Sequence, residues 1–390
     1  MGEHRRAGGS RGISRGLLVL VAVVVVLVAV GFLWSMLGDR VTKQGQDAAK
    51  RCVEGDLTVA VISDPALAEP LKSLATEYNA TKPISRDWCI TIDVRPADAK
   101  VTLEGLTGTW DPASRGQYPA AWIPQSSVWS SQLTVAKPEI VDGTPSSLVT
   151  SPVVLAIPAA AKEAMDGNVG WIELPTLQRS EPAMRQLGLP GWGSLKMAMP
   201  TGPQSDATAL AAQAIAMEVS RTPSGALSVE DATSPLVTST LQAMQSQAPP
   251  TDLGSSESGV EMIAAQPNPA AGSIHAVPIT EQQLYKLTKD GANAGVVSLL
   301  PTGPTPMADF PVIALTGEQV DVASRDAVNT FISYVHAPEN ITAITQLGFR
   351  GGGALPPPTT AVDFPVTPSP MPPPPAEAQN AITETLTRRT

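Results

Sequence analysis

Leu148-Val-Thr-Ser-Pro-Val-Val-Leu-Ala-Ile-Pro158 is the stretch of sequence that decides the fold. Between Pro152 and Pro158 it carries an unbroken apolar run, Val-Val-Leu-Ala-Ile, which is typical of a strand buried on both faces. Thr150 and Ser151 place hydroxyl groups at the start of that strand. We predict that the strand carries the chain from one lobe of a two-lobed domain into the other, with these hydroxyl groups at the cleft.

Upstream of this stretch, the pattern indicates a strand, a helix and a second strand. Leu57–Ile62 and Ile90–Val94 have the composition of buried strands. Between them, Asp64 is suited to cap a helix and Pro65 to occupy its first turn. Apolar residues then follow at helical spacing: Leu67, Leu71, Leu74 and Tyr78. This βαβ unit predicts an α/β fold with parallel strands.

The segment from Thr107 to Trp129 reads as irregular and rich in tryptophan. Trp122 lies close to Ser126 and Ser127, and tryptophans beside small hydroxyl residues are typical of a ligand cleft. The alternative is that these tryptophans fill gaps in a core. The sequence alone leaves both interpretations open.

Downstream of Pro158, further strands and helices are predicted. The predicted strands are Leu195–Met199, Gly295–Leu300 and Phe310–Leu315. A helix is predicted over Asp206–Arg221, and a second begins at Thr280, where Gln283 three residues later completes a capping-box pattern.

Three predicted helices are preceded by hydroxyl residues, namely Ser63, Ser205 and Thr280. Free N–H groups and the helix dipole favour anions at helix N-termini, and ligands of open α/β folds bind where such helices begin. Each hydroxyl residue on its own is more often simply a helix cap. Convergence of several on one cleft would make a binding site.

The N-terminal region predicts a membrane anchor. Leu17–Leu37 is uncharged, rich in Val and Leu, and long enough to cross a bilayer. A cleaved signal peptide is the alternative, but no small-residue cleavage site closes the run. Arginines precede it, so the positive-inside rule places residues 1–16 in the cytoplasm, residues 38–51 in an external stalk and the rest of the chain outside.

Charge and cysteine content restrict the function further. The net charge of −10 argues against nucleic acid as a partner, because nucleic-acid sites need basic grooves. Outside the cytoplasm, Cys52 and Cys89 are expected to form one disulfide, with two free thiols as the alternative. The histidines His4, His275 and His336 lack the spacing of a zinc site. We predict no catalytic residues, no metal site and no cofactor, and an enzyme is the least favoured class.

The C-terminal segment 354–390 is dense in proline between Pro356 and Pro375. This composition favours an extended, disordered spacer without a core. Recruitment of an SH3-like partner is the alternative function for it.

Six stretches carry a family resemblance: Gly55–Pro65, Ala121–Trp129, Ser151–Pro158, Val277–Gln282, Ala308–Val312 and Gly348–Arg350. In this order they resemble the extracellular solute-binding domain of actinobacterial membrane-anchored proteins. The resemblance covers roughly Cys52–Gly353. Many members of that family carry a von Willebrand factor A domain downstream, where this sequence has its proline-rich stretch.

The resemblance implies a type II periplasmic-binding-protein fold with hinge closure around a ligand. Lobe 1 would comprise residues 52–149 and 308–353, and lobe 2 residues 150–307. At Gln125 the family leads us to expect an acidic residue. Together with the hydroxyl pattern, the resemblance gives eight candidate ligand-binding residues: Ser63, Asp64, Trp122, Ser126, Ser127, Ser151, Ser205 and Thr280.

The predicted function is a single-pass plasma-membrane protein whose extracytoplasmic domain binds a small solute between two lobes. The alternative is a degenerate domain that no longer binds a solute and acts as a scaffold for another cell-envelope protein. The ligand class is left open by the sequence.

Overall fold

A computed structural model of the chain describes residues 27–28, 34, 52–221, 225–249, 253–366 and 369–388. The predicted cytoplasmic tail 1–16 and the stalk 38–51 lie outside these residues, as does most of the predicted membrane helix Leu17–Leu37. Within the described part of the chain, no helix is both long enough and apolar enough to cross a membrane.

The described strands begin three residues after Cys52 and end at Ala314. They are β1 (Gly55–Ser63), β2 (Ile84–Ser85), β3 (Trp88–Pro96), β4 (Ala121–Ile123), β5 (Ser146–Ser147), β6 (Ser151–Pro158), β7 (Val277–Thr280), β8 (Val296–Leu299), β9 (Met307–Ala308) and β10 (Pro311–Ala314).

The described helices surround these strands, and the last one follows the proline-dense stretch. They are α1 (Pro65–Ala80), α2 (Ala99–Thr107), α3 (Pro112–Arg115), α4 (Ser127–Ala136), α5 (Ala159–Met165), α6 (Leu174–Arg179), α7 (Ala183–Gln186), α8 (Asp206–Val219), α9 (Val229–Ala232), α10 (Pro235–Gln247), α11 (Ser256–Ala264), α12 (Glu281–Thr288), α13 (Val322–Val335), α14 (Pro338–Thr345) and α15 (Ala376–Thr387).

The first sheet has six strands in the order β2-β3-β1-β4-β10-β5. β1 and β4 are parallel, with Ile62 opposite Trp122, and β10 is antiparallel to β4, with Ile313 opposite the same Trp122. β1 and β4 therefore end at the same edge of the sheet, so Ser63 and the loop after Ile123 are placed side by side. Asp64 confirms this placement, because its backbone N–H donates to the carbonyl of Ile123 at 2.7 Å.

The second sheet is built around β6, the strand predicted from the deciding stretch. All eight residues of β6 are buried, as predicted for a strand covered on both faces. β7 and β8 pair with it on either side, and β9 pairs with its first residues, all antiparallel. The core beside this sheet contains Val154, Val260, Ile279 and Leu284.

The predicted helix caps at Asp64 and Thr280 are present. Asp64 Oδ1 accepts a hydrogen bond from the Ala66 N–H at 2.8 Å at the start of α1. Thr280 and Gln283 form a complete capping box at the start of α12. In each case a side chain satisfies a backbone N–H that has no partner within the helix.

Two predictions of local structure were wrong. The segment Thr107–Trp129 is not irregular, because Trp122 is the middle residue of β4 and Trp129 lies in α4. Leu195–Met199 is not a strand, because only a single bridge, between Met197 and Ala276, joins it to a neighbour. A strand needs a continued ladder of hydrogen bonds, and none continues from this bridge among the described residues.

The proline-dense tail was predicted to lack a core, and this prediction was wrong for its described part. Ala361 and Val362 lie in the core beside the second sheet, and the Ala361 carbonyl accepts a hydrogen bond from the Ser298 N–H. The segment then pairs with the main body at Thr305 and ends in α15, where Ile382 and Leu386 are buried. Proline prevents regular hydrogen bonding but leaves the apolar side chains between prolines free to pack.

Cys52 and Cys89 form a disulfide, as predicted. Both cysteines belong to a small compact unit that includes residues 52–56 and 86–89. The larger unit contains residues 57–85 and 90–390, and therefore most of both sheets and all of the helices above.

Candidate functional site

Polar residues from the two sheets meet where their strands end or begin. From the first sheet come Ser63 and Asp64 after β1, and Gln125, Ser126 and Ser127 after β4. From the second sheet come Ser151 at the start of β6, Ser205 and Asp206 at the start of α8, and Thr280 at the end of β7. All of these except the half-buried Ser127 are buried. Buried polar groups away from helix and strand ladders are the feature that marks a site here.

Asp206 connects the two groups of residues directly. Its carboxylate accepts a hydrogen bond from Ser126 Oγ at 2.6 Å and from Trp129 Nε1 at 2.8 and 2.9 Å. The pKa of Asp206 is raised to about 7, mainly by burial and also by the nearby negative charges of Asp64 and Asp98. The hydrogen bonds from Ser126 and Trp129 oppose that rise.

Asp64 makes a second connection. Its Oδ2 accepts a hydrogen bond from Gln204 Nε2 at 2.7 Å, while Oδ1 caps α1. Burial raises the pKa of Asp64 to about 6, and the hydrogen bonds from Gln204 and from the Ala66 N–H lower it. The carboxylate of Asp64 thus lies at the N-terminus of α1, and that of Asp206 lies in the first turn of α8. These are the positions at which the sequence pattern predicts that an anion is favoured.

The remaining predicted residues have local partners. Ser63 Oγ donates to the Asp64 carbonyl at 3.2 Å, and Ser151 Oγ accepts from the Gln282 N–H at 3.0 Å. Ser205 Oγ accepts from the Ser256 N–H at 3.2 Å. Thr280 is occupied by its capping box.

Ser127 and Trp122 differ from the others. The Ser127 N–H donates to Asp309 Oδ1 at 2.6 Å, and burial raises the pKa of Asp309. Trp122 is completely buried between β1 and β10 and is a core residue of the first sheet rather than a cleft wall. The aromatic side chain that reaches Asp206 is Trp129, which the sequence analysis did not select.

Several buried polar atoms near these residues have no hydrogen-bond partner among the described residues. Gln125 is 1% exposed, and neither its Oε1 nor its Nε2 has a partner there. The same is true of Trp122 Nε1, Ser256 Oγ and Gln282 Oε1. Because leaving a buried polar group unpaired costs about 1–3 kcal/mol, such atoms indicate where a solute or an ordered water completes the network.

A cavity of about 560 Å³ lies beside Asp206. Its walls come from α2 and α4, from the segment Pro200–Asp206 that leads into α8, and from α15. This volume is within the range of small-molecule pockets. Asp206, Trp129 and Ser205 therefore lie between the interlobe hydrogen bonds and an accessible cavity.

Gln204, Asp206 and Asp309 are candidate site residues that sequence reasoning missed. A signal was present, because Gln204 and Asp206 flank the predicted N-cap Ser205 and Asp309 lies within the stretch Ala308–Val312. Among the described residues, no group of three or more His, Cys, Asp or Glu side chains is placed to hold a metal ion. The carboxylates of the site are instead held by neutral donors.

Two α/β lobes with a buried polar junction define the class of two-lobed solute-binding proteins. A family model of bacterial extracellular solute-binding proteins matches residues 59–350. The chain belongs to this family, which places its solute-binding domain outside the cytoplasm. The family consists of binding proteins.

Two curated proteins are similar to most of this chain. Two uncharacterized proteins from Mycobacterium tuberculosis, from strains CDC 1551 / Oshkosh and H37Rv, are each 35% identical over 94% of this chain. The chain spans about half the length, 53%, of these relatives.

Iron-bound HitA from Pseudomonas aeruginosa aligns with a TM-score of 0.55 at 12% identity, covering 85% of this chain and 100% of that chain. The ferric binding protein from Campylobacter jejuni aligns with a TM-score of 0.52 at 13% identity, covering 84% and 97%. At these identities the likeness shows the fold alone, and it confirms the predicted two-lobed α/β fold.

Proposed function

We propose that the chain holds one small solute in the cleft between two lobes, residues 52–149 with 308–353 and residues 150–307. The observation that carries this proposal is a pair of hydrogen bonds. They join residues that follow β1 and β4 to residues at the start of α8. Ser126 donates to Asp206, and Gln204 donates to Asp64. The neighbouring amide of Gln125 has no hydrogen-bond partner in the described part of the chain. Such contacts form when the lobes close, and closure around a ligand is the usual motion of two-lobed binding proteins.

The predicted site residues have distinct roles in this proposal. Ser126, Ser127, Ser151 and Ser205 supply hydroxyl groups at the junction, and the amide of Gln125 supplies the unpartnered donor and acceptor. The remaining members position the others: Ser63 and Asp64 lie at the end of β1, Thr280 lies at the end of β7, and Trp122 packs inside the first sheet.

We further propose that Leu17–Leu37 anchors the protein in the plasma membrane, with residues 1–16 in the cytoplasm. Support comes from the uncharged run itself and from the arginines that precede it. The relatives from Mycobacterium tuberculosis support the actinobacterial subfamily suggested by the sequence motifs. We propose no catalytic activity for the domain.

Native mass spectrometry of the full chain, purified without denaturation, tests the proposal first. We expect a retained small mass, and we expect a member of a panel of anions, sugars, amino acids and amines to raise the melting temperature. The variant Gln125→Leu/Ser126→Ala should lose the shift, because it removes the unpartnered amide and one interlobe contact. Ser130→Ala is the matched control, since Ser130 Oγ bonds only its own helix, at Ser127. Absence of any retained mass and of any shift would contradict the proposal.

One observation favours the scaffold function as a second candidate. Asp64 and Asp206 are each satisfied by side chains of the facing lobe, so the closed arrangement holds together through the chain's own groups. Cross-linking in cells distinguishes the two functions. A protein partner that is recovered equally with wild type and with Gln125→Leu/Ser126→Ala supports the scaffold, whereas a solute that binds only the wild type supports the receptor.

A further inference from the structure

The cavity beside Asp206 has three walls from distant parts of the sequence. Leu103 of α2 and Val128 of α4 form one wall, Pro200 and Ser205 a second, and Leu386 of α15 the third. α15 therefore covers a space between elements of the two proposed lobes. Because most of these side chains are apolar, the walls suit a hydrocarbon skeleton.

Asp206 is the buried charged group of this cavity. Asp206 is 9% exposed, and its carboxylate accepts hydrogen bonds from the neutral donors Ser126 and Trp129. It forms no ion pair with any described residue. A buried carboxylate normally either keeps its proton or, when ionised, is paired with a cation.

The other charged groups of the lining are already paired at the surface. Lys100 lies 4.0 Å from Glu104, and Glu384 lies 3.5 Å from Arg388. All four side chains are largely exposed. The charges that act on Asp206 from its surroundings, Asp64 and Asp98, are negative as well, so the electrostatic field at this end of the cavity favours a positive group.

A second, independent feature points to a ligand in the same cavity. Thr208 lines it one turn along α8 from Ser205 and is 1% exposed. Its Oγ1 has no hydrogen-bond partner among the described residues. A hydroxyl oxygen accepts a hydrogen bond readily, and a positively charged N–H group is a strong donor to it.

We propose that this cavity binds an organic cation, a protonated amine whose nitrogen contacts Asp206 and Thr208 and whose apolar body lies against Leu103, Val128 and Leu386. This inference rests on the proposed solute-binding function and names the chemical class of the solute. Trp129, whose ring lines the cavity, adds an aromatic surface of the kind that attracts cations.

Isothermal titration calorimetry of the full chain with three matched probes tests the chemical class. The probes are 2-phenylethylamine, 2-phenylethanol and 3-phenylpropionate, which share an aromatic body and differ in charge. The titration is done at about pH 8, where Asp206 is ionised because its pKa is about 7. We expect the amine to bind at least about tenfold more tightly than the other two, the factor that one charge-assisted hydrogen bond contributes.

Two variants locate the site. Asp206→Asn should abolish the preference for the amine, whereas Asp321→Asn, the same change at the exposed cap of α13, should leave it unchanged. Val135→Trp adds bulk to the cavity wall from an exposed position on α4 and should weaken binding of all three probes. Val135→Trp tests the cavity even if Asp206→Asn fails to fold.

The outcomes separate this inference from the proposed function. The proposal that the solute is an amine is overturned by any of three outcomes. These are equal binding of the three probes, tighter binding of the alcohol or the acid, and no binding at millimolar concentration. If a sugar or an anion of the earlier panel binds while the amines do not, the proposed function stands and only the inference fails. If no solute of any class binds, both fail.

Discussion

Asp206 is the residue through which pH is expected to act on the fold. Burial raises its pKa from 3.8 to about 7, so the folded state holds its proton more tightly than the unfolded state does. Between these two pKa values the unfolded state has lost the proton and the folded state keeps it. The contribution of Asp206 to the free energy of unfolding therefore falls as the pH rises from about 4 to about 7, and this contribution changes little above that pH.

Replacing Asp206 with Asn removes this titration. We expect the melting temperature of Asp206→Asn, measured by circular dichroism against pH, to rise relative to wild type as the pH increases through that window. Asp111→Asn is the control, because hydrogen bonds from Ser114 lower the pKa of the exposed Asp111, so its titration lies below this window and its curve should stay parallel to that of wild type. Parallel curves for wild type and Asp206→Asn would show that Asp206 is not buried as described.

Arg350 and Glu281 form a buried ion pair near the start of β6. Arg350 Nε and Nη2 lie 2.8 Å from the two carboxylate oxygens of Glu281, whose side chain is 1% exposed. The backbone of Arg350 also exchanges two hydrogen bonds with Thr150, immediately before β6. Burial raises the pKa of Glu281, and Arg350 opposes that rise.

Arg350→Met leaves the Glu281 carboxylate without its partner. We expect the free energy of unfolding to fall by about 3–5 kcal/mol, the usual cost of an uncompensated buried charge. The cost should be larger at alkaline than at acidic pH, because protonation of Glu281 relieves it. Arg325→Met is the matched control: its partner Asp142 is exposed, so the loss should stay below about 1 kcal/mol. Denaturant titration at two pH values measures both variants, and equal losses would contradict the prediction.

At this scale the sequence predicts positions better than it predicts partners. Ser126 and Asp206 are 80 residues apart, and neither residue type reveals by itself that they will bond. Asp206 also follows a hydroxyl residue at a helix start, where an acidic residue is ordinarily a surface residue that complements the helix dipole. Its burial is a consequence of the facing lobe, which local sequence does not contain.

The disulfide joins Cys52, which precedes β1, to Cys89, the second residue of β3. Cys52 and Cys89 are separated by 37 positions, and a cross-link over a loop of this length stabilises a protein by about 3–4 kcal/mol when it restricts the unfolded chain. We expect Cys52→Ser/Cys89→Ser to lower the denaturant midpoint accordingly. Wild type under reducing conditions should match the variant, and an unchanged midpoint in both would show that the disulfide does not stabilise the fold.

At the scale of elements, strong local sequence patterns predict the helices and strands correctly, and weak patterns do not. β1, α1, β6 and α12 each have a continuous apolar run or a cap. α4 was missed because Ser127, Ser130 and Ser131 are weak helix formers, so its tertiary packing overrides local preference. β4 has only three residues and offers too little periodicity to recognise.

At the scale of the whole molecule, the C-terminal segment contacts elements that are distant in the sequence. α15 packs against α4 of the proposed lobe 1 and against α8, α9 and α10 of the proposed lobe 2. Before it, Pro365 accepts a hydrogen bond from Arg350, and Ser369 and Met371 bond the backbone of Thr305. The sequence predicted a spacer here because prolines dominate the composition, whereas the buried side chains lie between and beyond them.

Because α15 contacts both proposed lobes, it should hold them together. A chain that ends after Pro375 is expected to open, which small-angle X-ray scattering would detect as a larger radius of gyration. Its melting temperature should also fall, since Ala378, Ile382 and Leu386 no longer bury their side chains.

A point variant separates the effect of α15 packing from that of chain length. Leu386→Asp places a charge among the apolar walls and should reproduce the opening, because an unpaired charge is unfavourable there. Val366→Asp introduces the same charge at a residue that is 88% exposed and should leave the radius of gyration unchanged. If the truncated chain and Leu386→Asp both keep the wild-type radius, the hydrogen bonds of Asp64 and Asp206 are sufficient to keep the lobes closed, and α15 serves only as a wall of the cavity.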